Sequence, residues 1–357
     1  MPIRRYDGCN LSDDILIAWR RLTQSETGLN NPLFTPTWVQ SVAAVKEGVE
    51  VAVVSQDEIP LAFLPFDRRG REGYPVGGDL SDVHGLIASP TSTVDLAELI
   101  RECELTALHY DHLPADEADQ PWFTPNHARI EDAALIELKD GFDAYWRSRH
   151  EASVSWTKQI KRKHRKLARE VGPLRFDWHN TNRDSLRALI DWKRRQLTAS
   201  RFNDMFSSPW MCPLLNRLLD SENEECQGVL STLFAGEHLV AVHFGIRNRH
   251  TMVSSIPTHN SEFNSYSPGA ILHVELARAA AEREIQSIDL GRGINPLKRA
   301  LGSTTRKLAI GTIDLRRSRR WLRGWWFRLR DVARTWPMGR LPRLAYRQVR
   351  QLMSRTR

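Results

Sequence analysis

His243 is the side chain in this sequence best suited to take a proton from a substrate. In HLVAVHFGIR, Val240, Val242, Phe244 and Ile246 alternate with Ala241, His243, Gly245 and Arg247, so a strand buries the first set and leaves the histidine on a small, polar face. Its ordinary pKa lies near neutrality, and Ala241 and Gly245 leave room beside it, as a general base requires. A strand histidine bonded to a neighbouring carbonyl gives the same pattern, so both roles stay open. Asp289, in SIDLGRG, projects opposite to Ile288 and Leu290 at a strand's end, where it either lines a cleft or caps the next turn. Two other clusters suit an anion. Ser267-Pro268-Gly269 joins a natural N-cap, a proline where the missing N–H is unpaired anyway, and a glycine that admits close approach. Gly291-Arg292-Gly293, Asn295-Pro296 and Lys298 repeat the device. Two helix starts with unpaired N–H groups, flanked by Arg292 and Lys298, predict a site for a phosphate-bearing ligand between the two turns.

The elements that must position these residues follow from periodicity. The helix opened by Ser267 should run to about Arg283, with Leu272, Leu276, Ala279 and Ala280 on one side and Val274, Ala277 and Ala281 on the other, so it packs on two sides. Glu275, Arg278 and Glu282 pair along its surface, and His273 is structural. Ile285 to Leu290 reads as a short buried strand. Upstream, Gly228 to Phe234 and His238 to Arg247 form a β-hairpin that repeats the plan of Val49 to Val54 and Ile59 to Phe66, which suggests two similar halves. Leu11 to Leu22, LFTPTWVQSVAAV, Asp95 to Cys103, Ser185 to Leu197 and Pro209 to Leu219 read as helices, and ELTALHYDHL as a strand. Gly77 to Gly85 is a polar loop in which Asp82 and His84 could form a carboxylate-imidazole pair. No nucleophile or metal partner is fixed by spacing, so a hydrogen-bonded turn is the preferred role. SWTKQIKRKHRKLARE has an apolar side at Trp156, Ile160 and Leu167 and is basic elsewhere, either a solvated face or a platform for a polyanion.

Ser267-Pro268-Gly269, then Asp289-Leu290-Gly291-Arg292-Gly293, then Lys298 resemble the C-terminal signature of GNAT-fold acyltransferases of the CelD, cellulose-biosynthesis type. Trp38 in LFTPTWVQ, Pro60 to Pro65, Leu80 to Gly85 and the basic helix around Lys158 to Arg169 fall in the same order, so the likeness covers about Phe34 to Leu308. More distantly the chain is similar to Fem-type aminoacyltransferases, which share a doubled GNAT fold. Asn260 and Leu297 stand where the family often has Asp and Tyr. The resemblance implies a mixed α/β fold of tandem GNAT-like domains, spanning 1–145 and 146–315 here, and an acyl-CoA donor, acetyl-CoA among the candidates. It also implies an amine or glycan acceptor in envelope or extracellular polysaccharide synthesis. On this basis His243 and Asp289 are the catalytic candidates, and Ser267, Gly269, Gly291, Arg292, Gly293 and Lys298 hold the donor. The coenzyme A signature R/Q-x-x-G-x-G/A is absent from the sequence, which keeps an aminoacyl-tRNA donor in view, and a non-catalytic accessory role is the alternative from another class.

Composition bounds the rest. At 357 residues and 41% hydrophobic, the chain can build two ordinary cores. Cys9, Cys103, Cys212 and Cys226 show no paired C-x-x-C spacing, so neither a metal site nor a disulfide framework is expected. Met1 to Gly8 lacks an apolar core and no run is long enough to span a bilayer, which points to a cytoplasmic protein. The net charge of +8 is concentrated: fourteen Arg and one Asp follow Leu315, so the rest of the chain is acidic. Leu322, Trp325, Trp326, Leu329 and Trp336 recur there at helical spacing among arginines, which predicts that 316–357 forms an amphipathic tail at the anionic inner face of a membrane. Nucleic acid other than tRNA is not expected as a partner.

Overall fold

Thr35 caps the helix that follows it, its Oγ1 accepting from Trp38 N at 3.3 Å, and thereby fixes a tryptophan that is wholly buried. In the computed structural model, which describes residues 1–89, 91–116 and 120–316, Trp38 belongs to a core shared by both halves of the fold. The predicted tail lies outside the described residues but for Arg316. Met1–Thr312 forms one compact unit.

The first half runs β1 (Ile3–Asp7), α1 (Asp13–Ser25), α2 (Pro36–Ala43), β2 (Val49–Gln56), β3 (Ile59–Arg69), β4 (Glu72–Tyr74), β5 (Ile87–Ala88), α3 (Leu96–Glu102), β6 (Ala107–Pro114) and β7 (His127–Glu137). After α4 (Gly141–Ala152) and α5 (Val154–Glu170), the second half runs β8 (Leu174–Asp177), α6 (Arg183–Ala199), α7 (Met211–Leu219), β9 (Gln227–Ala235), β10 (His238–Arg247), β11 (Thr251–His259), α8 (Pro268–Ala281), β12 (Ser287–Arg292), α9 (Pro296–Leu301) and β13 (Thr304–Asp314). The halves follow one plan: a strand, two helices, an antiparallel run, a crossover and a parallel return. β4 pairs with β6 in parallel and β11 with β12 in parallel, and the second crossover carries α8. The hairpins β2–β3 and β9–β10 are those predicted.

The described strands join one sheet in the order β1-β2-β3-β4-β6-β13-β7-β12-β11-β10-β9-β8, with β5 on β3. The last strand of each half has crossed over: β13 lies between β6 and β7, and β7 lies between β13 and β12. This is a doubled GNAT-type α/β fold. On one face Trp19, Phe34, Trp38 and Phe63 from the first half meet Leu189, Leu215 and Phe244 from the second, and Trp19 stacks on Phe63 at 4.9 Å between centroids. On the other face α8 packs with Tyr145, Ile160 and Leu167 of α4 and α5. As predicted, α8 is buried on both sides. β1, β8, β11 and β13 were not among the elements expected from the sequence.

Trp38 also supports the polar loop at 77–85. Gly77 has φ +88°, and an added Cβ there would enter the Trp38 ring. Gly77→Ala is therefore expected to combine left-handed strain with overpacking and to cost roughly 2–4 kcal/mol. Urea unfolding of the full chain measures it, a loss below about 0.5 kcal/mol meaning that the loop and the tryptophan shift apart.

Candidate functional site

β11 and β12 pair only where Thr251, Met252 and Val253 face Ser287, Ile288 and Asp289, although β11 continues to His259 and β12 to Arg292. Both strands are pulled off register from their outer sides. Between Phe244↔Ile256 and Ile246↔Val253, β11 carries one more residue than β10, a bulge at Ser254 and Ser255, while β12 shifts against β7 between Asp289 and Arg292. The result is a wedge in the sheet. Ser254 Oγ bonds His243 Nε2 at 2.9 Å, and the buried Ser255 Oγ has no partner among the described residues.

His243 is fully buried beneath α8, edge-on to His273 at 5.8 Å, and its Nδ1 has no partner among the described residues. Burial foremost, then His273, holds its pKa well below the ordinary histidine range. The space that glycine leaves in this strand is filled by the histidine itself, since a Cβ on Gly245 would lie 2.7 Å from His243 Cε1. His273 Nδ1 donates to Gly269 O at 2.7 Å, the structural role expected of it.

At the start of α8, Ser267 occupies the N-cap position with φ 54° and its side chain does not cap the helix, contrary to expectation. Its Oγ accepts instead from Lys163 Nζ at 2.5 Å, because the left-handed backbone turns the hydroxyl away from the first helical N–H groups. Lys163, with Arg162, Arg165, Lys166 and Arg169 of α5 and with Ser265, lines a groove of about 590 Å³ beside this helix start. Gly269 adjoins β11: a Cβ on it would lie 3.5 Å from His259 Nδ1. The second predicted helix start is weaker as an anion site. α9 is six residues long, and Asn295 Oδ1 already accepts from Lys298 N at 2.8 Å.

The turn after β12 is tied down from all sides. Gly291, at φ +75°, donates its N–H to Asp289 Oδ1 at 2.8 Å, and Asp289 Oδ2 pairs with Arg306 of β13. Both carboxylate oxygens of Asp289 are thus engaged, and the residue caps the turn. Lys298 Nζ donates to Gly291 O at 3.1 Å and Arg292 O at 3.0 Å. Arg292 reaches Asp111 O at 2.5 Å and Glu131 at 3.3 Å, and Gly293 N donates to Asp132 O at 3.0 Å.

What spacing did not reveal is that the 77–85 loop closes on this turn. Asp82 Oδ1 lies 3.5 Å from where a Gly291 Cβ would stand and 3.7 Å from His112 Nε2. Burial foremost, with help from Asp289 and against His112, Lys298 and Arg306, raises its pKa to about 6. His84 Nε2 accepts from the N–H groups of Asp111 at 3.1 Å and His112 at 3.3 Å, so its proton sits on Nδ1, facing Ser81 Oγ at 3.3 Å. Burial lowers its pKa to about 4; His84 is held in hydrogen bonds as anticipated, but its carboxylate partner is not Asp82, which faces His112. Lys193 of α6 donates to Pro257 O at 3.4 Å, and burial, then Lys298, lowers its pKa against the pull of Asp82. Asp82, His112 and Lys193 are the residues that sequence reasoning left out of the site. LSDVHG was the available signal, but spacing fixes no partner for it, because His112 and the backbone at 111–112 lie more than 25 residues away. Among the described residues no group of three or more metal-ligating side chains occurs, and no helix is long and apolar enough to cross a membrane.

The two shifted groups act on stability in opposite directions. His84, lowered below its unfolded pKa, contributes stability that is present above about pH 6.5 and lost as pH falls toward 4. Asp82, raised above its unfolded pKa, contributes stability that is present below about pH 4 and lost as pH rises through 6. Asp82→Asn should therefore gain on the parent between pH 4 and 6, on the order of 2 kcal/mol, and His84→Asn should flatten the acid limb. Denaturant unfolding at successive pH values reads both, and parallel curves for parent and Asp82→Asn would show that the carboxyl titrates normally.

Residues 155–299 match the sequence profile of the acetyltransferase (GNAT) domain. No curated protein sequence matches the chain. Among solved structures, FemX superposes with a TM-score of 0.59 at 9% identity, over 90% of this chain and 99% of its own. A tandem GNAT protein of the clavulanic acid biosynthesis pathway superposes at 0.51 and 12% identity, over 88% and 98%. The C-terminal domain assigned to a lysylphosphatidylglycerol synthetase of Agrobacterium fabrum gives 0.51 and 12%, over 86% and 94%. The profile match at 155–299 falls within a fold that is shared with a tandem GNAT protein.

Proposed function

We propose that the chain is an acyltransferase that moves an acyl group from a coenzyme A thioester to an amine or hydroxyl. The observation that carries this reading is the wedge between β11 and β12, with the start of α8 and the cations of α5 at one wall and Asp82 at the other. In this reading the donor phosphates meet Ser267, Gly269 and Lys163, and Gly291, Arg292, Gly293 and Lys298 form the facing turn. The acceptor nitrogen or oxygen attacks the acyl carbon while its proton passes to the Asp82 carboxylate. The C–S bond breaks as the new C–N or C–O bond forms, and the departing thiolate takes that proton from Asp82. The unpartnered Ser255 hydroxyl is available to the carbonyl oxygen as charge gathers there. His243 and Asp289 then act by position, the first holding the bulge through Ser254 and the second holding the turn.

The acceptor class that the sequence resemblance implies, an envelope or extracellular polysaccharide or its precursor, completes the reading. A second donor is favoured by the basic groove on α5, which suits an acyl group carried on tRNA. The rival is an accessory protein that binds without turnover. We assign the arginine- and tryptophan-rich segment after Leu315 to an anionic membrane surface, on its composition.

Acetyl-CoA and longer thioesters should raise the melting temperature of the full chain, and Gly269→Val should abolish that rise while leaving the unliganded protein folded. Asp82→Asn should lower kcat by roughly 10²–10⁴ with little change in the shift. A shift given only by charged tRNA would move the donor to the second class, and no shift with any donor would favour the accessory role. For the tail, the full chain should float with anionic but not zwitterionic vesicles, and a chain ending at Leu315 should float with neither. Equal flotation of both proteins on anionic vesicles would remove the membrane assignment.

A further inference from the structure

A cavity of about 320 Å³ opens between α6 and the end of β11. Its α6 wall is the stripe Trp192, Arg195, Gln196 and Ala199, spaced i, i+3, i+4 and i+7, so one helix face is given to it. Its far wall includes His259 and Asn264. His259 Nε2 is bonded to Asn264 Oδ1 at 2.6 Å, while Nδ1 lies toward Gly269 at the start of α8. The cavity therefore adjoins the donor's helix. Lys193, next to Trp192 in the chain, reaches Pro257 O on β11 and feels the charge of Asp82, so the same helix leads inward to the polar cluster.

The wall chemistry is selective. An indole offers a broad apolar surface that matches the C–H face of a pyranose, and the Gln196 and Asn264 amides both donate and accept, as hydroxyls require. Arg195 is exposed and has no ion-pair or hydrogen-bond partner among the described residues. A guanidinium in that state favours a carboxylate or phosphate that it can grip with two N–H groups. The volume falls within the usual range for small-molecule sites.

We infer that this cavity is the acceptor subsite and takes a hydroxylated ring bearing an anionic group, a sugar acid or a sugar phosphate. The word acceptor rests on the acyltransferase reading, whereas the ligand class rests on the cavity alone. Calorimetric titration of the full chain, without donor, with glucuronate, glucose 6-phosphate, glucose and adenosine tests it. At least one of the two anionic sugars should bind about tenfold more tightly than glucose, and the tighter one identifies the anionic group. Arg195→Gln should erase that preference and leave glucose binding unchanged, and Trp192→Ala should weaken all three sugars by about tenfold or more. Because Trp192 also packs on the core, Arg195→Gln carries the test should Trp192→Ala fail to fold. Anionic sugars no tighter than glucose, a preference unchanged in Arg195→Gln, or adenosine binding as tightly as the sugars would overturn the assignment. Sugar binding as described without acyl turnover would instead leave the subsite standing and remove the acyltransferase role.

Discussion

The site depends on two parallel strands that separate after three paired positions. Separation of parallel strands inside a sheet exposes backbone groups that must find other partners, so it persists only where neighbours enforce it. Here β11 carries a bulge at Ser254 and Ser255 against β10, and β12 shifts register against β7 after Asp289. α8 bridges the two strands and is buried along most of its length, which fixes the mouth of the wedge. A mobile surface helix in its place would let the strands close.

The electrostatics of the wedge follow from what surrounds it. Asp82 and Asp289 are neighbours, and only Asp289 has a dedicated cation, Arg306. Asp82 is left with partial claims on Lys298 and His112, and Lys298 spends its N–H groups on the carbonyls of Gly291 and Arg292. One carboxylate is thereby committed to the turn by its partners, and the other, Asp82, has its pKa raised to about 6 by burial. His84 and His243, both lowered by burial, are neutral rings.

Local patterns made much of this legible. The alternation in β10, the Pro-Gly start of α8, its two packed sides, and the turn after β12 could be read because each is settled within about fifteen residues. Ser267 was misjudged because a serine before a proline looks like a cap, and only the fold sets its φ to 54°. His243 looked roomy because glycine and alanine flank it, and its own ring takes that room. The pairing of Asp82 with Gly291, and of His84 with the backbone at 111–112, depends on which strands become neighbours, which no periodicity records. β13, TTRKLAIGTID, lacks clean alternation because it is central and covered on both sides for part of its length.

That neighbour relation comes from the exchange of last strands. β7 stands between β12 and β13, with Ala133 opposite Arg292 on one side and Arg306 on the other. A small side chain between two arginines lets Arg306 reach past β7 to Asp289, and lets Arg292 reach Glu131 two residues along the same face. Were each half to keep its own last strand, β6 would lie beside β7 and β12 beside β13, and the two halves would no longer interleave. The doubled fold thus acts as one unit: the second half supplies the wedge, and the first supplies Asp82, the buried carboxylate that closes on its turn.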